Sequence, residues 1–364
     1  MTTEKVPFDL DLEKELEEFE AAFKAQQAEN PPSKIANEIE NGQEGQGQAG
    51  QPTEEAGAEE KKYCDYRVYY DGIDTEFSKS EDCQFKFLEL KLNDPTFQTV
   101  LDDCKKFLEY LKSQCKGELG PVMLCTAQQN AEWYARRSER VTSSLFGRVA
   151  KRKKFDPVDT MLKFVQNHMN PYRYLGGIEQ LEYGKLLESD AVKKYQKERP
   201  HIIVKETGLW TNGAFPYLGG SPDGLVFDKE TNQDGLLEIK CPVRGKSASF
   251  EEMASQKGFY MLKDKETGKY NLDKKSEYYF QIQGCLNILD KPFCDFAVST
   301  GKDLYVERIK KDEQFFKEFS KKVKEFFFRF FLPYNSKKPV LTEKLEWIYV
   351  FLSKEVYDAH FANY

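Results

Sequence analysis

The sequence predicts an α+β fold, and three observations carry that expectation. Of the 364 residues, 40 % are hydrophobic and 14 % aromatic, enough for a sizeable core. Stretches with three- and four-residue apolar steps and stretches of strand-forming residues follow one another in the order α, β-meander, α, β, β, α. One block stays out of that core. Residues 1–62 hold a net charge of −10 and the run NGQEGQGQAGQPTEEAGAEE, which carries no aromatic side chain, so this leader is expected to be disordered. The formal charge of −7 therefore hides a mildly basic remainder, +3 over residues 63–364, and DNA stays open as a partner.

Taken in order, DLDLEKELEEFEAAFKAQQ places Leu12, Leu16, Phe19 and Phe23 at helical steps inside the leader, a pattern for a short partner-docking helix. Residues 63–125 start strand-like with YCDYRVYYDG and continue helix-like with TFQTVLDDCKKFLEYLKSQC, until Gly120-Pro121 breaks them. They read as a small Cys-containing accessory segment. From Thr126 helices run through NAEWYARRSERVTSSLFGRVA and LEYGKLLESDAVKKYQKE, followed by strands at HIIVKETGLW and AFPYLGG. Helices return at EYYFQIQGCLNIL and EQFFKEFSKKVKEFFFRFF with strands CDFAVST and LYVERIK between them, and residues 336–364 are expected to form a helical tail. Trp133, Phe146 and the FFFRFF run at 326–331 read as helix packing rather than as platforms for bases.

No apolar run approaches bilayer length, and the first residues, MTTEKVPFDLDLEKELEEFE, are acidic where a secretory or mitochondrial signal would be basic. An intracellular protein, in nucleus or cytoplasm and without a membrane partner, is expected. The 8 Cys form no C-x-x-C pair, and His168, His201 and His360 are scattered singly, so zinc has little support and reduced, buried thiols are expected.

The densest chemistry lies in SPDGLVFDKETNQDGLLEIKCP, residues 221–242. Ser221-Pro222-Asp223-Gly224 has Pro and Gly where a tight turn wants them. Leu225 to Phe227 and Leu236 to Lys240 read as two strands of a hairpin reversed at Asp234-Gly235. The two-residue period puts Glu238 and Lys240 on one face and Leu237 and Ile239 on the other, buried one, with Asp223 at the open end within reach of the charged face. Alone, these residues would equally make a good turn and a solvated strand face.

Gly184 to Glu188 (G-x-x-x-E), S-P-D-G at 221–224, L-E-I-K-C-P at 237–242 and Tyr278 to Gln281 (Y-x-x-Q), in that order, resemble a known motif series. It is similar to that of the YqaJ-type viral recombinase nucleases, the lambda-exonuclease-like branch of the PD-(D/E)XK superfamily. The resemblance covers roughly residues 126–335. It implies a restriction-endonuclease-like core, a central mixed sheet flanked by helices, and hydrolysis of DNA phosphodiesters with Mg²⁺ or Mn²⁺, two ions in number. It further implies Asp223, Glu238, Lys240 and Gln281 as the catalytic set. The metal oxygens would come from Glu188, Asp223, Glu238 and the Ile239 carbonyl. Such ions favour oxygen donors and lower the pKa of bound water, and a lysine two residues after the glutamate faces the same place.

Upstream, WYARRSERVTSSLFGRV is similar to the family's R-x-x-R-[IV]-T-x-S segment, which implies a 5′-phosphate pocket of Arg137, Arg140 and Ser144. A guanidinium fork, a hydroxyl and a helix N-terminus all suit phosphate oxygens. Ser143 stands where the family commonly has Ala or Gly, which leaves the choice between the two serines open. The basic run through KRKKF could follow phosphates or be a solvated face or an import signal. The expected activity is a 5′-phosphate-dependent exonuclease of recombination or repair. An endonuclease of the same fold and a non-catalytic DNA-binding module stay open beside it. A single-strand annealing partner and a homo-oligomer are the further partners the resemblance brings in.

Overall fold

The structure, a computed structural model, describes residues 84–155, 161, 164–165, 179–336, 340–341 and 346–364. The expected leader, its amphipathic helix and the strand-like start at residue 63 lie outside the described residues.

Strand β1 (Gln84–Leu90) leads into helix α1 (Phe97–Ser113), where Val100, Leu101, Cys104, Leu108 and Leu111 recur at three- and four-residue steps and form the buried face. Then come β2 (Pro121–Met123), α2 (Ala131–Ser138), β3 (Val141–Thr142), α3 (Ser143–Ala150) and the long α4 (Glu179–Glu198). Strands β4 (Ile202–Lys205), β5 (Trp210–Asn212), β6 (Leu218–Gly219), β7 (Gly224–Asp228) and β8 (Gln233–Lys240) follow; the strands are where the sequence expects them, but they form no continuous meander, since β5 pairs with β2 and β6 with β3. After α5 (Phe250–Ala254), β9 (Met261–Lys263) and β10 (Tyr270–Leu272) come α6 (Glu277–Ile288), β11 (Phe293–Ser299), β12 (Leu304–Lys310) and α7 (Glu313–Phe326).

The centre is a five-stranded mixed sheet in the order β12-β11-β8-β7-β4, with β8 and β11 parallel and the other pairs antiparallel. Strand β8 occupies its middle. Leu237 and Ile239 face α4, where they meet Ala191 and Tyr195. The opposite face is not solvated either: Leu236 joins Phe296 and Leu286 in the main core, and Glu238 is 2 % exposed. The alternation expected along β8 therefore holds, but helices close both faces.

Two local expectations need correction. The hairpin reverses at residues 229–232, not at Asp234-Gly235, which lie inside β8 opposite Phe227 and Val226. Asn232 takes the left-handed conformation (φ 53°), and the Asp228 carboxylate accepts the N–H groups of Glu230 and Thr231, so the turn is built from Asn and Asp chemistry. Gly235 is small because a Cβ there would stand 2.3 Å from the Phe293 ring. The stretch beyond residue 336 is also not simply helical. After α8 (Leu332–Ser336) it forms β13 (Val340–Leu341) and β14 (Glu346–Leu352) before a short α9 (Lys354–His360). The aromatic and β-branched residues of EWIYVFL favour a strand, and β1 gives it a parallel partner in register from Gln84–Glu346 to Leu90–Leu352.

The phenylalanine run is core. Phe327 to Phe331 wind one π-helical turn, and Phe327, Phe328, Phe330 and Phe331 are fully buried against Tyr217, Phe351 and Phe361. Rings enclosed in this way are not available to bases.

A candidate active site at the open end of the hairpin

Asp223 sits in the turn before β7, and its Oδ2 accepts the Ile239 N–H at 2.6 Å. The turn is pinned from outside. Gln128 donates to the Pro222 and Thr207 carbonyls, and the Trp133 indole donates to Ser221 Oγ at 2.9 Å. Glu238, one strand over, accepts from Lys240 Nζ at 2.5 Å and from Gln281 Nε2 at 2.6 Å, both at Oε1. Gln281 comes from α6, whose start is capped by Ser276. Glu188 comes from α4, on the face that also carries Ala191 and Tyr195. The Tyr195 hydroxyl donates to Asp295, which in turn holds Arg308, so this face is fixed to the sheet.

The electrostatics show how close these groups are. Burial, then the neighbouring Asp223 charge and more weakly Glu188, push the Glu238 carboxyl up; burial pushes Asp223 up as well. Burial works to strip the Lys240 ammonium of its proton, but the Glu238 and Asp223 carboxylates outweigh it and the net shift is upward. Two carboxylates, Glu238 and Asp223, thus share one ammonium, and Glu188 adds a third negative charge beside the buried Glu238. The donor set is all oxygen, counting the Ile239 carbonyl on the strand between Glu238 and Lys240, and excess negative charge raises its own pKa values. That chemistry fits a hard divalent cation such as Mg²⁺ or Mn²⁺.

The second set of residues divides. Arg137 lies over the Trp133 ring, 4.2 Å from its centroid, with Nη2 at 3.5 Å from Ser144 Oγ. No carboxylate among the described residues forms an ion pair with it, and burial pulls its pKa down to about 10. Ser144 is exposed in the first turn of α3, whereas Ser143 is buried and bonded to Cys285 Sγ at 3.2 Å, so Ser144 is the serine that meets Arg137.

Arg140 must be withdrawn from the expected pocket. It is fully buried, and its guanidinium donates to the carbonyls of Pro216 and Arg136 and to the side chains of Glu139 and Gln114. A fully buried fork held by four protein acceptors is out of reach of a phosphate.

Helix packing brings the two sets together. α3 crosses α6 where a Cβ on Gly147 would stand 2.8 Å from Glu277 Cα and one on Gly284 would stand 2.5 Å from the Phe146 ring. Cys285, beside that crossing, touches Ser143, and its thiol is pushed up to about 12 by burial and by the Glu238 charge. Trp133, read from the sequence as packing alone, both carries Arg137 and holds the Asp223 turn. Its signal was the four-residue step to Arg137. The neighbouring basic run is partly neutralised, since Arg148 and Lys151 both pair with Glu277.

A further cluster, His201 with Asp228 and Glu230, was not foreseen because only the 229–232 turn assembles it. Asp228 is already committed there. Arg308 and two backbone N–H groups bind it, and the Arg308 hydrogen bond holds its pKa down to about 2. Among the described residues no helix is long and apolar enough to cross a membrane.

Among solved structures, an alkaline exonuclease of Laribacter hongkongensis (LHK-Exo) is similar at 24 % identity, with 54 % of this chain and 90 % of that chain covered and a TM-score of 0.40. Its complex with dAMP aligns with the same identity and coverage at a TM-score of 0.41. No curated protein matches the chain. The YqaJ-like viral recombinase domain matches residues 132–302, a span that holds Trp133, Arg137, Ser144, Glu188, Asp223, Glu238, Lys240 and Gln281. Residues 132–302, somewhat under half of the chain, are thus similar to the YqaJ-like viral recombinase domain.

Proposed function

We propose that the chain is a divalent-metal-dependent deoxyribonuclease that degrades linear duplex DNA from a 5′-phosphorylated end. The observation that carries this reading is one arrangement: a buried oxygen cluster beside Lys240, and next to it an arginine with no carboxylate partner, Arg137, facing the exposed Ser144. Glu188, Asp223, Glu238 and the Ile239 carbonyl would hold the metal, which when bound lowers the pKa of water and offsets phosphate charge. Lys240 keeps its proton and presents a positive charge to the scissile phosphate. Gln281 fixes the orientation of Glu238, since its amide and the ammonium share one carboxylate oxygen. Arg137, held over Trp133, and the Ser144 hydroxyl bind the terminal phosphate and so set which bond lies over the carboxylates. The opposite strand, left unpaired, is what a single-strand annealing partner in recombination would take up.

The test is digestion of linear duplexes that differ only in the 5′ end group, in Mg²⁺ and in EDTA, with a covalently closed circle alongside. The reading expects the phosphorylated duplex to be degraded fastest, the circle to survive and EDTA to stop the reaction. Cleavage of the circle at a similar rate would turn the proposal into an endonuclease.

A further inference from the structure

Just before β9, the Tyr260 side chain enters the aromatic group around the site. Its ring lies edge-on to Tyr278 with centroids 4.8 Å apart, and it also contacts Phe259 and Phe296. Its hydroxyl is buried and has no hydrogen-bond partner among the described residues. Such an orphan carries a desolvation cost that a phenylalanine, which would pack the same way, avoids. Phe259 and Phe296 fill the neighbouring space with no hydroxyl at all. An orphaned polar atom that persists beside a reactive centre points to a second state in which it is bonded.

The group that can bond it is close by. Lys240 Nζ sits over the same Tyr278 ring, 5.2 Å from its centroid, and the Lys240 charge acts on the Tyr260 phenol. The ammonium has three donors, and Glu238 takes one of them. Whenever Glu238 Oε1 is committed elsewhere, Lys240 loses its carboxylate, and the phenol oxygen on the ring that meets the same Tyr278 is an unpartnered acceptor.

Resting on the nuclease reading above, we infer that Tyr260 is a positioning residue for Lys240: its hydroxyl accepts from the ammonium when Glu238 releases it, and keeps the lysine over the site. In the resting protein the hydroxyl is idle; in the working one it holds the lysine.

Tyr260→Phe in the full chain tests this. Without ions or DNA the variant should melt at the same temperature as the parent or a few degrees higher, because an unpartnered hydroxyl has been removed. Its affinity for Mg²⁺ alone, by calorimetry, should fall several-fold, since Lys240 leaves Glu238 less readily. On the 5′-phosphorylated duplex, kcat should drop about ten-fold or more with KM unchanged. A lower melting temperature with unchanged Mg²⁺ affinity would make Tyr260 a packing residue and overturn the inference, as would a parental kcat. A parent chain that neither binds Mg²⁺ nor cleaves DNA would instead remove the nuclease reading, and the inference with it.

Discussion

Replacing Arg137 by alanine removes a guanidinium that has no carboxylate partner among the described residues and two contacts, the face of Trp133 and Ser144 Oγ. Its structural worth is therefore small. Loss of the cation–π contact costs about 0.5 to 1 kcal/mol, a shift of roughly one to two degrees in melting temperature for a domain of this size. Its kinetic worth is larger, since one charge-assisted contact to a terminal phosphate contributes about 1.5 to 3 kcal/mol, or roughly ten- to hundred-fold in rate. That loss falls only on substrates that carry the phosphate. Initial rates on a 5′-phosphorylated duplex and its 5′-hydroxyl twin should therefore converge in Arg137→Ala, through a fall on the phosphorylated one. Lys240→Ala should lower both rates alike. Equal slowing of both substrates by Arg137→Ala would refute the reasoning, because the arginine would then be a general backbone contact.

Glu238→Gln keeps volume and removes a charge that Asp223 opposes, so the protein should stay folded while Mg²⁺-dependent cleavage falls by more than the roughly hundred-fold typical of an outer-shell partner; circular dichroism with the nuclease assay checks both. Arg140→Ala should behave in the opposite way to Arg137→Ala. Breaking a buried, fully hydrogen-bonded guanidinium costs about 3 to 5 kcal/mol, visible in denaturant titration, with the 5′-phosphate preference of the surviving folded fraction unchanged. Asp228 supplies a pH signature. Its folded pKa, about 2, lies below the unfolded value of roughly 3.9, so its contribution is complete above about pH 5 and is lost as pH falls through 4 toward 2. After allowance for solvent at the turn this amounts to about 1 to 2 kcal/mol, so the stability gap between the parent and Asp228→Asn should close across that window and stay constant above pH 5.

The motif-bearing part of the fold was legible because its residues are local. Asp223, Glu238 and Lys240 lie on one hairpin, and the two-residue period of β8 fixes their faces whatever covers them. Arg137 and Arg140 show where such reading stops. Three residues apart in sequence, they look alike, and what separates them is Gln114 and the Pro216 carbonyl, partners far away in sequence that bury Arg140 and do not engage Arg137. The reversal of the hairpin was misplaced for a similar reason. Asp234-Gly235 has strong turn chemistry, but the glycine answers to the Phe293 ring across the sheet, and nothing short-range reveals that. The strand nature of 346–352 depended on β1, more than two hundred residues earlier.

That pairing of β1 with β14 changes what counts as a unit of folding. The stretch 132–302 contains the candidate site, yet its core is completed by Leu101, Leu108 and Leu111 from before it and by the phenylalanines of the π turn, Leu352 and Val356 from after it. A fragment cut to 132–302 would leave those contacts unmade and apolar surface open to water, and it should aggregate where the longer chain does not. During synthesis the same geometry delays closure, because β1 has no strand to pair with until residue 352 has emerged. The hairpin that carries Asp223, Glu238 and Lys240 therefore leaves the ribosome well before the protein around it can become cooperative, and a chaperone that shields phenylalanine-rich segments would act on the 326–331 run that follows it.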